Sequence, residues 1–129
     1  MSEEHYQIGA VAENVGLSLR TIRYYEEIGL VTPTGRTEGG FRLYTDPDID
    51  RLRLLKCLKP VGMSLETMGE LLGYTDELVR GGPRSSDAER QLETALARAF
   101  DRCDELEEGL EAARDALRNL SRLAGKSTR

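Results

Sequence analysis

Val15-Gly-Leu-Ser-Leu-Arg-Thr-Ile-Arg-Tyr-Tyr-Glu-Glu-Ile-Gly29 is the stretch on which the fold turns. Upstream of it, Ile8, Val11, Ala12 and Val15 fall at i, i+3, i+4 and i+7, so a first short helix buries that face. Gly16 can take the left-handed conformation that ends it. Ser18 is then placed to cap a second helix, Leu19 to Ile28, which Gly29 closes. Only Gly16-Leu-Ser18 separates the two helices, and a turn that tight cannot lay them flat against each other. The pattern is a helix-turn-helix.

Moving outward, Leu30 to Thr45 contains Pro33, Gly35, Gly39 and Gly40, which forbid a helix, while Phe41 and Leu43 alternate with Arg42 and Tyr44. This predicts a small hairpin turning at Gly39-Gly40, a wing. Thr45 or Asp46 caps a third helix with Pro47 in its first turn, running to about Lys59. Asp46, Asp48 and Asp50 there are cap and first-turn acids, since Pro47 and the absent terminal Glu contradict a calcium loop. Ser64 opens a fourth helix whose Leu65, Met68, Leu71 and Leu72 share one face, expected to end at Gly73. Gly81-Gly-Pro83 marks a linker, and Ser86 with Glu89 forms a capping box for a fifth helix.

The last helix carries the longest pattern. Leu92, Leu96, Ala99, Cys103, Leu106, Leu110, Ala113, Leu117, Leu120 and Ala124 alternate steps of four and three, the coiled-coil heptad. A chain with one such segment has a second copy of itself as the natural partner. The expected class is mainly α: a winged helix-turn-helix over residues 6–74, a linker over 75–85, a dimerisation helix over 86–124 and a tail over 125–129.

Composition narrows the function. The net charge of −5 argues against a diffuse nucleic-acid binder working by overall positive potential. Distribution matters more: residues 18–59 hold eight Lys/Arg against six Asp/Glu, whereas 61–129 hold ten against fourteen. Two cysteines, Cys57 and Cys103, match no zinc-ligand spacing and no disulfide framework, which fits a reducing cytoplasm. Cys57 reads as core. No apolar run reaches membrane-span length, and the Met1-Ser-Glu-Glu4 start is acidic rather than a basic signal region. His5, the sole histidine, supports neither catalysis nor metal binding. No nucleophile–base pair, metal cluster or phosphate-binding glycine loop appears, so neither an enzyme nor a cofactor is expected.

On the second helix Ile22 and Tyr25 point one way, while Arg20, Arg23, Tyr24 and Glu27 again make i, i+3, i+4 and i+7 on the other. An apolar back with an Arg/Tyr front suits the major groove, where arginine forks reach guanine O6 and N7. Tyr24, Thr21 or Ser18 can offer a hydroxyl to a phosphate. Arg36, Arg42 and Tyr44 of the wing can grip the backbone beside the groove, with steep salt dependence. A solvated Arg/Tyr face is the competing reading of these residues. Two other functions also stay open: a coiled-coil adaptor on a degenerate winged helix, and an architectural, excisionase-like DNA-bending protein.

The strings Arg20-Thr-Ile-Arg-Tyr-Tyr-Glu-Glu-Ile-Gly-Leu-Val31, Arg36-Thr-Glu-Gly-Gly-Phe-Arg-Leu-Tyr44 and Val61-Gly-Met-Ser-Leu-Glu66 resemble the MerR family of bacterial transcription regulators. The resemblance covers almost the whole chain. It implies two winged helix-turn-helix subunits joined by an antiparallel coiled coil, binding double-stranded promoter DNA and acting on RNA polymerase indirectly. It places Arg20, Arg23 and Tyr24 in the groove and Arg36, Phe41, Arg42 and Tyr44 on the flanking backbone. It implies distortion of an overlong promoter spacer, a recognition that depends on DNA deformation. Phe41 stands where the family often has Tyr, which removes one hydroxyl contact. Leu123-Ala-Gly-Lys-Ser-Thr-Arg129 lacks the Cys of metal-sensing members, so no effector is assigned and no metal is expected. In an antiparallel pair Cys103 would lie near its own copy; a small apolar seam residue is favoured there over a redox cross-link.

Overall fold

The computed structural model describes residues 4–83 and 85–125. The acidic Met1–Glu3 start and residues 126–129 of the expected tail lie outside the described residues. Chain order is β1 (Tyr6–Gln7), α1 (Ile8–Val15), α2 (Leu19–Glu27), β2 (Gly35–Arg36), β3 (Arg42–Tyr44), α3 (Asp46–Leu58), a single 3₁₀ turn (Lys59–Val61), α4 (Leu65–Arg80) and α5 (Ser85–Leu123).

The helix-turn-helix forms by the local rules that predict it. Gly16 ends α1 at φ +79°, donating its N–H to the Ala12 carbonyl, and the Ser18 Oγ accepts the Thr21 N–H at 3.0 Å. Lys56 of α3 donates to the Val15 carbonyl at 2.7 Å, satisfying an acceptor that the end of α1 exposes. Val11 and Val15 of α1 and Ile22 and Tyr25 of α2 enter one core with Val31, Tyr44, Leu52, Leu55 and Met68. Burying a side chain such as Ile22 contributes about 1.5–3 kcal/mol, so the apolar back of α2 fixes which face remains outside.

The wing is a three-stranded antiparallel sheet in the order β1-β3-β2. The two-residue strand β1 carries no readable periodicity and is absent from the expectations; it pairs Tyr6 with Tyr44 and Gln7 with Leu43. β2 pairs Gly35 with Leu43 and Arg36 with Arg42. The hairpin tip closes through Gly40 N–H to the Thr37 carbonyl and Thr37 N–H to the Phe41 carbonyl, both 2.9 Å, with Gly40 at φ +84°.

At the start of α3 the Asp48 carboxylate accepts the Thr45 N–H at 2.9 Å and the Thr34 hydroxyl, tying the loop before the wing to this helix. Three expectations fail from here on. Helix α4 does not stop at Gly73 but continues to Arg80, so residues 75–80 are helix rather than linker. A mid-helix glycine costs about 1 kcal/mol against Ala, which the packing of α4 on α5 offsets. Helix α5 begins at Ser85, so Ser86 lies inside its first turn and Ser85 Oγ donates to the Gly82 carbonyl at 2.9 Å. Cys57 is exposed, not core.

Helix α5 spans 39 residues, about 58 Å at 1.5 Å per residue. Its N-terminal third runs antiparallel to α4, with Ala88 and Ala95 buried against it. The apolar seam therefore divides. Leu92, Ala99, Cys103 and Leu106 are half-covered, whereas Leu96, Leu110, Ala113, Leu117 and Leu120 are exposed on the single chain. Phe100, outside the heptad positions, is also exposed. Among the described residues, no helix is long and apolar enough to cross a membrane.

Candidate nucleic-acid interface

Helix α2 presents Arg20, Arg23 and Tyr24 to solvent on the side opposite Ile22 and Tyr25. Tyr24 is 44% exposed, and its ring leans on that of Tyr25 with centroids 6.1 Å apart. Among the described residues, neither Arg20 nor Arg23 makes a hydrogen bond or ion pair with the protein. Ser18 and Thr21 sit at the start of the same helix, each hydroxyl engaged with the other at 2.9 Å, so both are committed first to the cap.

The other arginines of this half are held. Arg51 donates two parallel hydrogen bonds to Asp76, at 2.6 and 3.0 Å, and a third to the Leu30 carbonyl at 2.9 Å. Arg53 bonds Asn14 and pairs with Asp50. Arg36 donates to the Gly40 carbonyl at 3.1 Å and lies 3.8 Å from Glu26. Arg42 donates its Nε–H to both Glu26 oxygens, at 2.8 and 2.6 Å. This contact keeps the Arg42 guanidinium firmly charged, by the hydrogen bond first and by the neighbouring negative charge as well.

Tyr44 does not stand where a phosphate could reach it. The side chain is fully buried in the core, and its hydroxyl donates to Glu26 Oε2 at 3.1 Å. Burial is the main reason its phenol is pushed well above the ordinary range, with the Glu26 charge second. The expected backbone contact from Tyr44 is therefore corrected: strand alternation turns this residue inward, and it supports the wing from beneath. Phe41 is the reverse case, 64% exposed at the hairpin tip.

Glu26 escaped the sequence reading, and it gathers Arg36, Arg42 and Tyr44 around one carboxylate. Strand periodicity places Arg42 and Tyr44, two apart, on one face of β3, but it does not point to the α2 carboxylate they share. The surface that results has two parts. Free arginines front α2, and a cationic hairpin, partly neutralised by Glu26, flanks it. Such an arrangement can fork onto base edges in a groove while gripping phosphates alongside. Among the described residues, no group of three His, Cys, Asp or Glu is placed to hold a metal ion.

Comparison with known proteins bears on the same surface. A family model described as MerR HTH family regulatory protein matches residues 6–75. Heavy metal-dependent transcription regulator 2 of Rhizobium meliloti (strain 1021) is 36% identical over 118 residues, spanning 92% of this chain and 74% of that protein. The HTH-type transcriptional regulator CueR of Escherichia coli O6:H1 is 38% identical over 100 residues, spanning 78% and 72%. Among solved structures, a MerR family transcriptional regulator from Listeria monocytogenes superimposes with TM-score 0.69 at 26% identity, covering 90% of this chain and 86% of that one. HiNmlR, a MerR family regulator lacking the sensor domain and bound to promoter DNA, superimposes with TM-score 0.64 at 29% identity, covering 95% and 92%.

Proposed function

This chain belongs to the MerR HTH family of regulatory proteins and is a transcription regulator of that type, and from this premise we propose that it grips promoter DNA as a homodimer. Arg20 and Arg23 enter the major groove and read base edges, and Tyr24 sits beside them. Ser18 and Thr21 at the helix N-terminus, with Arg36, Phe41 and Arg42 of the wing, lie along the flanking backbone. Antiparallel pairing of two α5 helices covers Leu96, Leu110, Ala113, Leu117 and Leu120, with Leu92, Ala99, Cys103 and Leu106 filling the edges of the seam. Two reading heads held at one spacing then distort the promoter spacer, so that RNA polymerase is reached through the DNA rather than by direct contact. The work is that of a cytoplasmic regulator without catalysis.

One observation carries this proposal. Every arginine from residue 36 to residue 53 has a partner within the described residues, while the two on the outer face of α2 have none. Arginine forks left unpaired on a rigid helix are preorganised for a ligand that is planar and rich in acceptors.

The test is competition binding on a cognate duplex, selected from random sequences, and on a scrambled duplex. Arg23→Ala is expected to weaken the cognate duplex by about 1–3 kcal/mol and to relax discrimination. Arg42→Ala is expected to weaken both duplexes alike. Equal losses on both duplexes for Arg23→Ala would contradict the assigned roles.

A further inference from the structure

The last turn of α2 carries adjacent carboxylates in different settings. Glu27 is exposed beside the arginine front. Glu26 is on the flank facing the wing, with its side chain only 16% exposed. An anion this near a DNA-binding face repels phosphate, so its presence there needs an offsetting gain.

The wing supplies one. Arg36 and Arg42 stand directly opposite each other in the β2–β3 ladder, a like-charge pair that by itself destabilises a hairpin. Glu26 is within 3.8 Å of the first and 2.6 Å of the second, and the Tyr44 hydroxyl completes its shell from below. The three charged groups sum to +1, so the cluster stays attractive to phosphate. The geometry of Arg42 is specific. Only its Nε–H engages the carboxylate, and among the described residues nothing bonds its two terminal amino groups. A guanidinium has several N–H donors in one rigid fork, so it can use one edge on Glu26 and another elsewhere.

We propose that Glu26 is a positioning residue for DNA binding: it clamps the wing to the recognition helix and aims the outer edge of Arg42 at a backbone phosphate. The assignment rests on the DNA-binding function proposed above. It opposes simple electrostatics in sign, because removing an acidic group beside a polyanion should otherwise tighten binding.

The experiment measures duplex affinity by fluorescence anisotropy across a salt series, using the full chain and the same selected and scrambled duplexes. E26Q keeps the shape and loses the charge. It is expected to bind about three- to tenfold more weakly, with the slope of log K against log salt reduced by about 1–2 while base discrimination is retained. Placing E26Q in an Arg42→Ala background is expected to cost nothing more. R42K provides a second arm that leaves Glu26 in place, so its outcome does not depend on how glutamine affects the hairpin. Lysine keeps the positive charge but has one point-like donor head, so R42K is expected to lose as much affinity as Arg42→Ala. E26Q binding as tightly as the parent or tighter at unchanged salt slope, or R42K binding like the parent, would overturn the inference while leaving the DNA-binding function standing. A parent chain indifferent to every duplex at low salt would remove that function and the inference with it.

Discussion

Shortening Leu117 to alanine tests the pairing of α5 without touching the reading head. Full burial of a leucine contributes about 1.5–3 kcal/mol relative to exposure. Leu117 is 63% exposed on the single chain, so roughly 1–2 kcal/mol of that remains for a partner to supply. A two-fold interface contains each substitution twice, giving about 2–4 kcal/mol per dimer, or roughly 30- to 700-fold in Kd. Alanine keeps the β-carbon, which favours the lower part of that span, about 30- to 150-fold. Sedimentation equilibrium on parent and variant measures the shift. Val79→Ala is the control: this side chain is 83% exposed but lies on α4, off the seam, and should leave Kd unchanged. An unmoved Kd for Leu117→Ala, or equal shifts for both variants, would refute the assignment of this face to a second copy.

Two further outcomes concern stability. Arg51→Ala removes a half-exposed bidentate pair, worth about 1 kcal/mol after solvent screening, and leaves the Leu30 carbonyl without its donor, worth about another 1. Thermal unfolding followed by circular dichroism should shift down by about 3–10 °C, and a change under one degree would count against the role given to Arg51. Tyr44 and Tyr25 ionise late, both chiefly because of burial. A folded-state pKa above the unfolded value means that the folded chain binds more protons. The stabilisation is therefore complete below pH about 10 and falls as pH rises beyond it, by up to about 1.4 kcal/mol per pH unit for each tyrosine. Near-ultraviolet absorbance and circular dichroism recorded together should place their ionisation within the unfolding step; free titration of all five tyrosines in a folded chain would contradict this.

The helix-turn-helix was readable because its signals are local. Gly16, Ser18 and the four-residue apolar faces act within one or two turns, and the observed α1 and α2 follow them closely. The errors arise where tertiary packing outweighs a local rule. Gly73 is a helix breaker in isolation, yet α5 packed alongside carries α4 through it. By residue type alone Cys57 reads as core, but at 100° per residue it lies about 140° round α3 from the buried stripe of Ile49, Leu52 and Leu55. Glu26 was hidden for a different reason. Its partner Arg42 is 16 residues away, and nothing in a Glu-Glu dipeptide distinguishes a clamp from a solvated pair. Tyr44 follows from the same contact, since the face of β3 that meets Glu26 is the face that enters the core.

Arg51 and Glu26 solve one mechanical problem at two places. Each is a charged side chain near the end of α2 whose polar atoms are divided between separate elements. Glu26 joins α2 to both strands of the wing hairpin. Arg51, from α3, holds the carbonyl of Leu30 just beyond α2 with its Nε and Asp76 of α4 with its terminal nitrogens. Helix α4 in turn packs on α5 through Ala88 and Ala95, small residues that let two helices approach closely. A continuous path of short contacts therefore runs from the wing through α2, α3 and α4 to the long helix. Apolar packing alone would allow these elements to slide, because dispersion is not directional, whereas a fork bonded at three atoms fixes orientation. Orientation is what the promoter-distorting dimer proposed above would have to control. In such a dimer, angular slack along this path would be multiplied by the length of α5 into displacement of a reading head, while bending DNA would oppose the heads with several kcal/mol. Under the proposed function, polar clamps near the head are what would let a long lever act on a stiff duplex.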